Sequence, residues 1–159
     1  MNKINIFKLF LCIVVSQMAG IIGSLFTSKS IQVWYTTLIR PDIAPPNWVF
    51  GPVWTTLYLL MGISSYIIWT KGLKNDNIKV ALYIFIGQLA LNSLWSIIFF
   101  GLNDIRLALI EIFVLWLFIL ANIILFGRIS RLAGMLLVPY LLWVTFASYL
   151  NYSFLILNT

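Results

Sequence analysis

The chain has 159 residues, 62% of them hydrophobic and 9% charged, with a mean hydropathy of +1.03. A water-facing domain carries roughly 25% charged residues, so this composition excludes a soluble globular protein and requires an outside that faces lipid. Ten Lys and Arg against four Asp and Glu give a net charge of +6, His is absent and Cys occurs once, at position 12; no internal disulfide is possible, the commonest metal ligand and neutral-pH base are missing, and the basic excess reads as topology rather than nucleic-acid binding.

A spanning helix needs about 20 mostly apolar residues. Five stretches qualify, 6–26, 48–69, 80–100, 107–126 and 133–155. They predict an all-α integral membrane protein, a bundle of five transmembrane helices forming one domain over 1–159. The first stretch follows Lys3 and Lys8 in the manner of a signal peptide. It is long enough to span, however, and no small-x-small cleavage site follows it, so it is expected to stay in the mature protein. Ser16, Gly20, Gly23 and Thr27 fall at i, i+4, i+7 and i+11. Small residues at that spacing make a close-packing face, within the chain or between two copies.

The first loop, 27–47, is the long one, with Lys29, Arg40, Pro41, Asp42 and the pair Pro45-Pro46. Proline is well tolerated at a helix start. Trp48, Gly51, Trp54, Tyr58, Gly62 and Ser65 then lie on or near one face, and Pro52 leaves a backbone carbonyl without its donor. Aromatic rings beside small residues fit interhelical packing or the wall of a flat hydrophobic pocket equally. The third helix aligns Gln88, Asn92, Trp95, Ser96 and Phe99. An amide such as Asn92 in hydrocarbon must hydrogen-bond inward. The fourth carries Glu111 about one turn in, a functional candidate unless surface water reaches it. The fifth places Pro139, Trp143, Ala147 and Asn151 at i+4 steps, beside Tyr140 and Tyr152. Ala147 is small between larger neighbours and leaves a recess above Trp143.

Lys3, Lys8, Lys71, Lys74, Lys79, Arg128 and Arg131 fall at one side of the alternating spans, and Lys29, Arg40 and Arg106 at the other. The cation bias predicts a cytoplasmic N-terminus, with the first loop outside. Phosphate loops, HExxH, Cys/His clusters and a Ser/His/acid set are all missing from the sequence.

Trp34-Tyr35, the run Pro45-Pro46-Asn47-Trp48-Val49-Phe50-Gly51-Pro52-Val53-Trp54-Thr55 and Leu57-Tyr58-Leu59-Leu60-Met61-Gly62 resemble the TspO/MBR family of tryptophan-rich sensory and translocator proteins. The likeness continues through Ala90-Leu91-Asn92, Trp95 and Ile98-Phe99-Phe100-Gly101, and ends with Pro139-Tyr140, Trp143, Phe146-Ala147 and Leu150-Asn151-Tyr152. It covers essentially the whole chain, in order. The resemblance implies five transmembrane helices, commonly in a homodimer, and the Ile-, Asn- and Lys-rich composition suggests a bacterium and hence the cell membrane. It also implies a cavity, capped by the first loop, that binds porphyrins and heme-like tetrapyrroles, and isoquinoline carboxamide or benzodiazepine-type ligands. No cofactor is obligatory. Carried over position by position, the lining would be Tyr35, Pro45, Trp48, Trp54, Tyr58, Asn92, Trp95, Trp143 and Ala147. Arg40 and Lys29 are expected to meet ligand propionates, from their loop position alone.

Three functions fit. The first is a receptor or sensor that regulates tetrapyrrole handling or stress response. The second is a passive tetrapyrrole carrier. The third is a light- and oxygen-dependent porphyrin-degrading enzyme in which Trp54 and Trp143 would act on the excited ligand. The sequence departs from the resemblance after Tyr152, where no basic residue follows. That weakens any expectation of sterol binding, itself a weak pattern.

Overall fold

In the computed structural model, which describes residues 4–158, the chain forms six helices making five spans. Lys3, counted in the cation bias, lies outside the described residues. The spans are α1 (Ile6–Ile31), α2 (Asn47–Trp69), α3 (Asp76–Ser96) extended by a wide turn (Ile97–Gly101), α4 (Ile105–Ile129), and the pair α5 (Arg131–Leu136) and α6 (Val138–Leu157). No strand occurs among the described residues.

Polar residues cap three of the helices, and α3 and α4 start before their apolar cores behind such caps. Asn5 accepts from the Lys8 amide at 3.0 Å, Asn75 from Asn77 at 2.9 Å and Asp104 from Leu107 at 2.8 Å. Each satisfies a donor that the first helical turn leaves open. α1 runs on to Ile31, so the first loop is shorter than expected and Lys29 sits in the last turn of α1 rather than in a loop. The fifth span is not the single helix expected over 133–155. Pro139 has no N–H to donate to Met135, and the helix breaks at Leu137 before resuming as α6.

Helix packing spends the small residues of α1 inside the chain. A Cβ on Gly23 would meet Ser96 Oγ at 2.9 Å, and one on Gly62 of α2 would meet Ile13 Cα at 2.6 Å. Gly20 lies directly against the Tyr58 ring. The stripe is therefore an intrachain face, and it is not left free for a second copy. Polar side chains tie the helices where lipid offers no partner: Ser93 Oγ donates to the Ala19 carbonyl at 3.0 Å, Ser64 Oγ to Ala133 at 2.7 Å and Asn122 Nδ2 to Ala81 at 3.0 Å. Outward faces carry Phe7, Phe10, Leu117 and Leu142, all exposed, as a lipid-facing surface requires. The described cations of the richer set gather at one end, where Lys8 Nζ stands 5.0 Å from the centre of the Trp69 ring.

Candidate functional site

At the opposite end the helices part around a cavity of about 370 Å³. Its floor is a chain of buried polar side chains. The Tyr58 hydroxyl donates to Asn92 Oδ1, and Asn92 Nδ2 donates to the Tyr140 hydroxyl at 2.9 Å. Asn92 thus finds the inward partners its amide demands, one on α2 and one on α6. A second amide does the same higher up: Trp95 Nε1 donates to Asn151 Oδ1 at 3.1 Å, and Asn151 Nδ2 donates to the Ile105 carbonyl at 2.9 Å.

Above the floor the wall is aromatic. Trp54 stacks on Tyr58 with ring centres 5.5 Å apart and meets Tyr140 edge-on at 6.1 Å. Phe50 stands edge-on to Trp143 at 6.0 Å. Trp95 stacks on Phe99 at 5.1 Å and meets Phe100 at 90°. Two consecutive phenylalanines can both reach Trp95 because α3 widens there. The Leu102 amide donates to the Ile97 carbonyl five residues back, at 2.9 Å, which is a π-helical turn.

The first loop closes the mouth. Tyr35, in a single 3-10 turn (Tyr35–Thr37), packs on Phe154 at 5.4 Å and Phe100 at 5.9 Å, and Trp34 packs on Phe99 at 5.6 Å. Burial pushes the Tyr35 hydroxyl above the ordinary phenol range, against the opposing pull of Arg40, so it is neutral at physiological pH.

Tyr35, Trp54, Tyr58, Asn92, Trp95, Trp143 and Ala147 all line this one cavity. Pro45 and Trp48 do not. Trp48 is 75% exposed, because it lies about 120° round α2 from Trp54 at 100° per residue. The α2 stripe that lines the cavity is Asn47, Phe50, Gly51, Trp54, Thr55 and Tyr58. Pro45 presents its carbonyl to the Arg40 guanidinium. Arg40 is thereby held within the loop, and neither it nor Lys29 is among the residues of the cavity wall.

Several lining residues were not nominated by sequence. Gln17, Ile21 and Ser24 of α1 and Ile112 and Leu115 of α4 complete the wall. Their spacing carried a signal on α1, where Gln17, Ile21 and Ser24 recur at helical steps. On α4 nothing sets Ile112 and Leu115 apart from lipid-facing aliphatics. Trp143 lines the wall, and its indole Nε1 is itself buried without a partner.

Glu111 is buried at 7% exposure, not hydrated at the surface, and neither carboxyl oxygen has a partner. It lies outside the cavity wall, though its neighbour Ile112 belongs to it. A buried carboxyl without a partner is destabilising. Glu111→Met should therefore raise stability by about 1–3 kcal/mol in thermal unfolding at neutral pH. A lower melting temperature would show that the carboxyl holds a partner the fold depends on.

The model of the TspO/MBR family matches residues 12–157. The chain is 44% identical over 158 residues to the Tryptophan-rich protein TspO of Chlorobaculum tepidum, covering 99% of each chain. It is 44% identical over 154 residues to the protein of that name from Archaeoglobus fulgidus, covering 97% of this chain and 99% of that one. It is 40% identical over 132 residues to the human Translocator protein, covering 82% of this chain and 78% of that one.

Proposed function

Because the chain belongs to the TspO/MBR family of multi-pass membrane proteins, we propose that it is a receptor for flat aromatic ligands, porphyrins first among them, held in the cavity between the helices. Membership supports a membrane sensor or receptor role. The observation that carries the ligand class is the wall itself. Indole and phenol rings from three helices and the first loop face one another across a space of about 370 Å³, within the range of small-molecule sites.

The lining fits a metal-free macrocycle better than a ligated heme. It holds no His, Cys or Met, the Tyr58 oxygen is committed to Asn92, and burial keeps the Tyr35 phenol protonated. No side chain of the wall is thus set up as a strong axial ligand. Isoquinoline carboxamide and benzodiazepine-type ligands suit the same walls. The cation bias supports a cytoplasmic N-terminus in a bacterial cell membrane. A homodimer would have to use a face other than the small-residue stripe of α1.

Titration of protoporphyrin IX into the detergent-solubilised protein in the dark, followed by tryptophan quenching, tests this reading. Saturable quenching is expected. Ala147→Leu fills the recess beside Trp143 and should weaken binding by about 100-fold or more, since overpacking at a fitted contact costs on the order of 3 kcal/mol. Quenching that never saturates and ignores Ala147→Leu would mean that porphyrin only partitions into micelles, and the ligand reading would be withdrawn.

A further inference from the structure

The cavity has two sides on which a ligand could arrive, and the structure builds them differently. The water side is shut twice over. Trp34 and Tyr35 pack into Phe99, Phe100 and Phe154. Asn158, just past α6, then clips the loop down: its Oδ1 accepts from the Ile39 amide at 2.8 Å and its Nδ2 donates to the Ile39 carbonyl at 3.0 Å. The same amide group is held to its own helix by Nδ2 donation to the Phe154 carbonyl at 2.9 Å. Lifting the loop means breaking both bonds of the clip and opening three aromatic contacts.

The side between α1 and α2 has no such closure. The two helices touch tightly toward the cation-rich end, at Ile13 and Gly62 and again at Gly20 and Tyr58. Beyond that the wall runs through Ile21, Ser24, Gly51 and Thr55, which line the cavity and are all exposed. Ile21 is 52% exposed, and a Cβ built on Gly51 meets nothing within 4 Å. A residue that is both cavity wall and outer surface marks an opening, and here the outer surface is lipid. The hydroxyls of the rim are turned away from it: Ser24 Oγ donates to the Ile21 carbonyl at 2.8 Å and Thr55 Oγ1 to Gly51 at 2.9 Å. Such back-bonding leaves a slot whose edges make no polar demand on an apolar molecule passing through. Its lower edge is pinned by Gln17 Nε2, which donates to the Thr55 carbonyl at 3.1 Å.

We infer that the cavity is loaded and emptied sideways, between α1 and α2, by ligands already dissolved in the bilayer, while the first loop stays latched by Asn158. This rests on the ligand reading above and narrows it: the ligands are those that partition into membranes, and molecules confined to water are excluded.

The test is stopped-flow tryptophan quenching on protein reconstituted in vesicles preloaded with protoporphyrin IX. Gly51→Leu and Gly51→Phe place bulk in the slot, where no neighbour obstructs it. Both should slow association and dissociation together, by about tenfold for Phe and less for Leu, as expected when a route narrows. A side chain that only touched bound ligand would change dissociation alone, and that outcome would overturn the portal. Asn158→Ala unclips the loop and should leave both rates within about twofold, as for a step off the route. Acceleration by Asn158→Ala with Gly51→Phe unchanged would move the route to the loop and overturn the inference. Absence of saturable binding in the unaltered chain would remove the ligand reading, and the portal with it. Saturable binding with rates indifferent to Gly51 would remove the portal alone.

Discussion

Gly62→Ala should lower the stability of the bundle by about 3 kcal/mol, at the upper end of what overpacking costs. The added Cβ would sit 2.6 Å from Ile13 Cα and 3.0 Å from its backbone nitrogen. Those are main-chain atoms of the facing helix, so no rotamer change can relieve the clash and α1 must move bodily. The movement would also carry Gly20 off the Tyr58 ring and disturb the polar floor of the cavity. Gly127→Ala is the matched control, since a Cβ there meets nothing within 4 Å. In a helix interior that change should be neutral or stabilise by about 0.5–1 kcal/mol. Thermal unfolding of both variants in one detergent separates the two causes. Equal melting temperatures would mean that the α1–α2 approach is not fixed by Gly62.

Asn92→Leu is expected to cost about 2–3 kcal/mol, because it removes two buried hydrogen bonds and strands the hydroxyls of Tyr58 and Tyr140. Tyr58→Phe takes away one of those bonds and its donor together, so it should cost only about 1 kcal/mol. The double variant should then cost less than the sum, since the bond between the two residues can be lost only once. Strict additivity would show that Asn92 and Tyr58 do not act as a pair. Asn92 also lines the cavity, so Asn92→Leu should weaken porphyrin binding as well. Gln88→Leu, outside the cavity wall, should not.

The fold was legible because hydropathy reports spans directly: all five apolar stretches are spans, the fifth built of two helices, and the small-residue spacing on α1 marks a real contact face. The ends were less legible. Asn75 and Asp104 recruit polar turns into helices that a hydropathy window cuts off. The break at Leu137 depends on one missing N–H, at Pro139, within a run that is apolar throughout. Among the cavity residues, Asn92 and Trp143 were readable from their chemistry and helical spacing. Trp48 misled because an aromatic near a helix start looks the same whether it faces lipid or pocket, and 120° of rotation decides it. Ile112 and Leu115 were invisible because aliphatic residues carry no mark of which side of a helix is lined.

The π-helical turn at Ile97–Gly101 has an evolutionary consequence. It amounts to a one-residue insertion hidden in an apolar run, where hydropathy plots and span lengths give no sign of it. Deleting one residue there would restore regular winding and rotate the residues that close α3 by about 100°, so that one aromatic ring, not two, would answer Trp95. Lineages that gain or lose that single codon would therefore change the shape of the cavity mouth in one step, with the bilayer span and its hydrophobicity intact.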